Sequence, residues 1–497
     1  MVIQSAISYI NESFQDHRRV LKLSVIFLVF SLLVQSYIWV SGGYNGVDLF
    51  AYEYTAKITI ENDYNWVFVH PANNIVNPHS PVVIYMLIAL YTILGSWLFT
   101  WIALLFINAF VATYFIYKLG LNITNNKLIS SYITLLFVTI RSDGGYHGIL
   151  FPVADIIGFT FIIITLYFLT LEEPRYYLAS ISTFIVMISH LYAGLSLFLL
   201  LIIFLSARLL SKDRIKFLKK YTIILISTIP GLLYYYYLYV SFNTANLNFN
   251  RGSDLIIEAS LKYYNIMELP ALYGFLHFAF AFAGILLIVG RINTVKDFLK
   301  NYKISSLIIW SLLLLAYSQA FFLFNILPNY RFLLYPTISL AIFGGIGLDM
   351  FMKKIIKSNI SKIFFYLVVF ICLFVTPMFY NVFAMDSAID KNQAEVLNYI
   401  NEYTDIEDAI FTTGSVAIYF TDITERNVGI SALSSPEFDR IERMFLSLDL
   451  ETAKSELIKN NIRYVYLSQK AMGEYFKKIP DVKVLYEKEH YYFFELS

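Results

Sequence analysis

The sequence predicts a polytopic α-helical membrane protein of about eleven transmembrane helices, followed by a small C-terminal extracytoplasmic α/β domain. Three observations predict it. The 497 residues are 58% hydrophobic and only 15% charged, where a soluble chain carries about 25% charge. Apolar runs of roughly 20 residues recur, the length that crosses about 30 Å of hydrocarbon. When those runs are threaded with the N-terminus inside, the basic residues sort by side: of the 25 Lys and Arg before residue 384, 20 fall in inside loops and five outside. Mean hydropathy is +0.62, and the runs are continuous rather than alternating, which excludes a β-barrel.

Taken in order, Arg18, Arg19 and Lys22 hold the start of a first span, about 21–40, on the inside. No small-residue cleavage site follows that span, so it reads as retained. Residues 41–96 form a long outside loop, within which 81–95 is too short to span and reads as an interfacial helix. Spans follow at about 97–117 and 128–140, with Lys118 and Lys127 at the inside turn between them, then a short outside loop, RSDGGYHG, at 141–148. A span at 149–170 returns to EEPR, 172–175, inside. The runs 176–190 and 191–209 form a hairpin with His190 at its outer turn. Residues 208–220 carry six basic groups and lie inside. Spans at 221–242 and 271–290 flank an outside loop, 243–270, and the inside loop 291–303 is again basic. A span at 304–326, an outer turn LPNYR, a span to about 350 and a last span at 363–383 complete the membrane domain, 1–383.

From 384 the composition changes. The tail 384–497 has 20 acidic and 12 basic residues, a net charge of −8. NQAEVLNYINEY has helical periodicity, while AIFTT, RYVYLS, VKVLYE and YYFFEL are β-rich. The whole chain's net charge of +1 gives no reason to expect a nucleic-acid partner, and the single cysteine, Cys372, permits no intramolecular disulfide and no cysteine-based metal site.

The outside loops hold almost every residue capable of chemistry. In the first, Asp48 lies a few residues past the first span; a carboxylate at membrane level suits a general base, because low dielectric raises its pKa toward a useful range. Asp48 also suits the N-cap of an interfacial helix beginning at Leu49, the reading composition alone favours, and the two roles can coexist. Glu53 lies five residues on and off Asp48's helical face. In the second loop Arg141 and His147 flank Asp143 among glycines, an arrangement equally suited to a tight solvated turn. Asp155 falls within the apolar run that begins at Ile149, and an ionisable group inside a span points to function. Arg251 and Arg331 are basic residues on the side where basic residues are disfavoured. His70, His79, His147 and His190, with Asp48 and Glu53, are groups that could bind a divalent metal, although their spacing matches no metal motif.

An Asp soon after the first span, then the YEYTAKI helix, then HSPVVIYMLIALYTILG, resembles the GT-C superfamily of membrane glycosyltransferases. That superfamily carries its catalytic acid in the first external loop, followed by a Pro-rich apolar motif; here one proline, Pro81, stands where two are common. The stretch NYRFLLYPTISLAIFGGIGL, 329–348, resembles a late membrane helix of the same group, and a small external domain after the last span fits as well. The resemblance implies transfer of a sugar from a polyprenyl- or dolichyl-phosphate donor to an acceptor hydroxyl on the extracytoplasmic face, with inversion. It makes Asp48 the base and Arg331, with Tyr330 beside it, a site for the donor's phosphate, which a guanidinium binds through bidentate bonds. The remaining outside groups named above would line the substrate site. The partners implied are the lipid-linked donor, membrane lipids and an acceptor glycan, lipid or protein. The first loop has no Asp-x-Asp pair, the mark of the metal-dependent oligosaccharyltransferase branch. A transporter or flippase is the alternative reading, disfavoured by the lack of paired halves; a third is a scaffold that uses the tail to hold partners.

Overall fold

The computed structural model describes residues 15–42, 47–65, 69–70, 75–76, 80–140, 150, 153–209, 214–244, 269–291, 294, 298, 301–324, 329–354, 368–375, 391–405, 408–413, 420, 424, 427–428 and 436–496. These fall into two compact units. The first comprises Met1–Tyr37, Leu98–Tyr235 and Lys262–Met385; the second Ile38–Trp97, Tyr236–Leu261 and Asp386–Ser497.

The first unit is a helical bundle. α1 (His17–Gly42) starts earlier than the apolar run because Asp16 caps it: the carboxylate accepts from the Arg18 N–H at 2.9 Å, and its carbonyl from the Arg19 and Val20 N–H groups. α4 (Trp97–Thr124) and α5 (Lys127–Thr139) are separated by Asn126, whose side-chain oxygen accepts from the N–H groups of Leu128 and Ile129. α6 (Ala154–Thr170), α7 (Tyr176–Ser189) and α8 (Leu191–Leu209) follow, with His190 as the extended residue that breaks the hairpin between α7 and α8. Among the described residues four helices are long and apolar enough to cross a membrane, in α1, α4, α8 and the segment Phe332–Lys353. Shorter apolar helices accompany them.

The run expected as one span at 221–242 is two helices, α9 (Arg214–Ile226) and α10 (Ile229–Thr244). Pro230 has no N–H to donate into the preceding turn, and the hydroxyls of Ser227 and Thr228 donate instead to the carbonyls of Ile224 and Leu225. Next to the proline, Gly231 lies against the backbone of Met187 on α7; a Cβ there would stand 2.8 Å from the Met187 carbonyl oxygen. α11 (Leu269–Tyr273), α12 (Phe275–Val289) and α13 (Tyr302–Phe324) lead to a 3₁₀ turn, Asn329–Leu334, and to α14 (Thr337–Lys354). Gly344 and Gly345 of α14 lie against Leu136 and Ile133 of α5, and Gly347 against the backbone of α12. Small residues allow this approach where packing must replace the hydrophobic drive. Of the last expected span the structure describes residues 368–375, including a π-turn, Ile371–Val375.

In the second unit, α2 (Val47–Glu61) and α3 (Pro81–Leu94) pack together, and the Tyr85 hydroxyl donates to the Tyr64 carbonyl at 2.9 Å. A short hairpin, β1 (Val69–His70) with β2 (Ile75–Val76), lies between them in sequence. α3 begins on Pro81 and stops at Gly95, whose φ of +65° ends the helix left-handed; its 14 residues make about 21 Å, short of a crossing. The tail begins with α15 (Lys391–Tyr403) and builds one mixed sheet, in the order β4 (Asn427–Val428), β3 (Ala409–Thr412), β5 (Tyr464–Leu467), β7 (Tyr491–Leu496), β6 (Val482–Lys488). The four β-rich runs of the sequence are four of these strands. β3 runs parallel to β4 and β5; β7 is antiparallel to β5 and β6. α16 (Pro436–Leu446), α17 (Leu450–Lys459) and α18 (Lys470–Phe476) supply Phe438, Phe445, Leu457 and Phe476 to a core closed by Phe411, Val465 and Phe494.

Candidate active site

The bundle of the first unit has two ends of different chemistry. Thr139, Asp155, His190, Tyr273 and Leu333 lie at helix termini of one, here the upper end; Asn122, Glu172, Arg208 and Tyr302 lie at termini of the other, the lower end.

At the upper end the 3₁₀ turn that carries Tyr330 and Arg331 is held on two sides. Tyr273, fully buried, donates its hydroxyl to the Leu333 carbonyl at 2.6 Å. Phe332 is buried edge-on against Tyr192 and Tyr317, at 5.2 and 5.1 Å between centroids. Tyr192 in turn lies tilted against His190, at 5.5 Å between centroids, so the α7–α8 corner and the 3₁₀ turn form one packed surface. The expected outer turn LPNYR therefore continues into a wound segment through Leu334. The backbone positions of Tyr330 and Arg331 are set; their side chains lie outside the described residues.

Asp155 does not sit in mid-span. It occupies the first turn of α6, is 7% exposed, and accepts the Ile156 N–H at 2.9 Å. The start of a helix favours negative charge, which explains how a carboxylate is tolerated there. One turn on, Gly158 draws α6 onto the α7–α8 corner: a Cβ at Gly158 would come within 2.7 Å of Ala193 Cβ and 3.6 Å of Ser189 Cβ. Asp155 and His190 thus belong to the same corner of the bundle.

A histidine that sequence reasoning missed is the most buried among the described residues. His277, on α12, is 1% exposed, and its Nε2 lies 2.9 Å from the Thr139 hydroxyl. That hydroxyl lies 2.8 Å from the Leu135 carbonyl and donates to it, so the imidazole donates from Nε2. Nδ1 is left as an acceptor, turned toward Gly274, where a Cβ would meet it at 2.6 Å. A glycine three residues before a histidine in an apolar run was the available signal.

In the second unit Asp48 is the second residue of α2 rather than the cap before Leu49, because the helix begins at Val47; its side chain lies outside the described residues, as does that of His70 on β1. Glu53 is half-buried, its side chain 14% exposed, and pairs with Lys57 at 3.4 Å one turn on. Lys57, one of the five outside cations, thus has an anionic neighbour in its own helix. His79, Arg141, Asp143, His147 and Arg251 lie outside the described residues. Among the described residues no three His, Cys, Asp or Glu side chains gather as a metal site, and Glu53 is already committed to an ammonium group.

No protein-family model and no curated protein sequence matches the chain. Solved structures do. The archaeal oligosaccharyltransferase AglB from Archaeoglobus fulgidus, in complex with an inhibitory peptide and a dolichol-phosphate, is 12% identical, with a TM-score of 0.62 over 90% of this chain and 69% of that one. ArnT from Cupriavidus metallidurans bound to undecaprenyl phosphate is 11% identical, with a TM-score of 0.60 over 95% of this chain and 97% of that one. The arabinofuranosyltransferase AftD from Mycobacteria is 10% identical at a TM-score of 0.51, and this chain spans 40% of its length. The chain shares its fold with these proteins. The match to ArnT runs nearly end to end on both chains. A second AglB structure holds Zn and sulfate.

Proposed function

We propose that the chain is a GT-C glycosyltransferase that moves a sugar from a polyprenyl- or dolichyl-phosphate donor to an acceptor hydroxyl, with inversion, on the extracytoplasmic side of the membrane. The reading is carried by the end-to-end match to a protein whose structure holds undecaprenyl phosphate. In this proposal residues 1–383 form the membrane catalytic domain, with a cytoplasmic N-terminus, and 384–497 an extracytoplasmic domain.

Asp48 takes the proton from the acceptor hydroxyl as its oxygen attacks the anomeric carbon. The bond from that carbon to the phosphate oxygen breaks, and the lipid phosphate leaves. Arg331 receives the phosphate, whose charge grows as the bond breaks; stabilisation at that point lowers the barrier without tightening the ground state. Two observations support Arg331 in this role: the buried clamp of Tyr273 on Leu333, and the ring packing of Phe332 beside it. Both give the backbone that bears the guanidinium a fixed place. Asp155 and His190, at the same corner, are the best-supported groups for contacts to the sugar. Glu53 has a smaller part, because Lys57 occupies it.

The test is transfer from a radiolabelled lipid-phosphate sugar in purified membranes, wild type against Asp48→Asn. Loss of a general base lowers the rate by about 10²–10⁴-fold. Undiminished transfer by the Asn variant removes Asp48 from the chemistry.

A further inference from the structure

The lower end of the first unit holds a cleft that the transfer reaction does not use. Its volume is about 530 Å³, within the ordinary range of ligand sites, roughly 300–1,000 Å³. Asn122 at the end of α4, Glu172, Glu173 and Arg175 in the α6–α7 turn, and Lys303 at the start of α13 line it.

Both signs of charge are present. Among the described residues, none of these four charged side chains closes an ion pair. Lys303 is half-buried; that burial pulls its ammonium pKa below the usual value, Glu172 opposes the shift, and Arg208 adds to it. Two cations, Lys303 and Arg208, therefore stand within each other's field at a partly desolvated site. Arg208 lies over aromatic rings: its guanidinium is 4.5 Å from the centroid of Tyr302 and 5.5 Å from that of Phe217. Lys220 lies 6.0 Å over Tyr176 close by. Aromatic rings and cations in this mixture mark the headgroup level of a membrane. A purely anionic ligand would meet the repulsion of Glu172 and Glu173. A ligand with a phosphate and an ammonium two carbons apart meets cations with the one and carboxylates with the other.

We propose that this cleft binds the head group of a phosphoethanolamine lipid, with its phosphate on Lys303 and Arg175 and its ammonium on Glu172 and Glu173. The site is independent of the transfer reaction. Full-length protein, delipidated in detergent and exposed to equal amounts of phosphatidylethanolamine, phosphatidylglycerol and phosphatidylcholine with the same acyl chains, is read by native mass spectrometry. The expected result is retention of the ethanolamine lipid over both others by roughly fivefold, about the worth of one charge near a membrane surface. Lys303→Gln weakens all three lipids. The paired change Glu172→Gln and Glu173→Gln, both on the exposed turn, erases the preference over phosphatidylglycerol. Millimolar soluble phosphoethanolamine displaces the bound lipid. A wild-type preference for phosphatidylglycerol reduces the site to a basic patch and overturns the proposal. So does an ethanolamine preference that survives the paired change, or a bound lipid that the soluble head group fails to displace. The paired change carries the test alone if Lys303→Gln lowers the melting temperature.

Discussion

The crossing of α12 and α14 offers the sharpest test of the packing. A Cβ on Gly347 would stand 2.9 Å from the carbonyl carbon of Phe280, with the oxygen nearer still, and one on Gly284 2.8 Å from the carbonyl carbon of Phe343. Ordinary contact begins at 3.4 Å, so an alanine at 347 requires the two helices to part by on the order of 1 Å. α14 has no slack on its other side, because Gly345 stands against Ile133 of α5, where a Cβ would lie 2.8 Å from the Ile133 nitrogen. The strain has to be absorbed as overpacking, which costs about 1–3 kcal/mol. Gly347→Ala is therefore expected to lower the melting temperature of detergent-purified full-length protein by about 3–10 °C. Gly290→Ala is the milder comparison: it sits in right-handed helical geometry at the end of α12, with φ −65°, a Cβ there would meet a single backbone atom, the Leu286 carbonyl oxygen at 3.0 Å, and a smaller fall is expected. Thermal scanning with size-exclusion detection reads both. A Gly347→Ala protein that melts with the wild type would mean that the glycine-to-backbone approach, and the placement of α14 in the bundle centre, is wrong.

Tyr273→Phe removes the hydroxyl's hydrogen bond to the Leu333 carbonyl, worth about 0.5–1.5 kcal/mol; a lower melting temperature together with a lowered kcat for transfer is expected, and a change in neither detaches Tyr273 from the 3₁₀ turn. Arg331→Gln is expected to lower kcat and kcat/KM for the lipid-linked donor together by roughly 10–100-fold, the worth of a charge-assisted hydrogen bond made as the phosphate leaves, with partial recovery in Arg331→Lys; unchanged donor kinetics would remove the phosphate role. In the tail, burial first and then the hydrogen bond to Glu474 raise the Tyr492 hydroxyl pKa to about 12 from 10.0. Because the folded value lies above the unfolded one, that contribution to stability is complete below pH 10 and lost as pH rises through 12. Circular-dichroism melts of the full chain should show this alkaline fall, and Tyr492→Phe should flatten it. For the topology, Asn125→Cys in a Cys372→Ser background is expected to react with an impermeant thiol reagent only after the membrane is opened; labelling of intact cells would invert the orientation.

The architecture was legible wherever a single period dominated. The tail's four main strands and α15 are in the sequence because β-rich runs alternate with one amphipathic stretch, and the hairpin at His190 because a polar residue interrupts two apolar runs. The two-residue strand β4 was not, since so short a strand has no period of its own; its pairing with β3 makes it a strand. The broken helix at Ser227–Thr228 was overlooked although Pro230 announces it, because hydropathy averages across a proline that the backbone cannot ignore. Asp155 was legible as a buried charge but not as a helix start, for the span that contains it begins five residues later than the apolar run. His277 was invisible for the opposite reason. Its sequence neighbours are apolar, and the Thr139 hydroxyl and the Leu136 backbone that meet the ring come from another helix.

The sorting of Lys and Arg and the packing of the bundle are independent observations that agree at one point. The first used only the membrane's charge rule and required Lys127, Arg175, Arg208 and Lys303 to share a side. The bundle contains no membrane, yet the α4–α5 turn, the α6–α7 turn, the end of α8 and the start of α13 meet at one end. Asn122 donates to the Tyr167 carbonyl, Arg208 lies over Tyr302, and Phe204 packs edge-on to Tyr302 at 5.0 Å. One crossing more or fewer between residues 128 and 209, where the short spans made the count least secure, would have sent Arg208 to the opposite end from Arg175. The buried polar groups gather at the other end, around the turn that carries Arg331. Proposing catalysis there and lipid recognition at the cation-rich end therefore requires no further assumption than the direction of the charge bias. A single labelling result that reversed the direction would exchange the two compartments while leaving the internal geometry of each site intact.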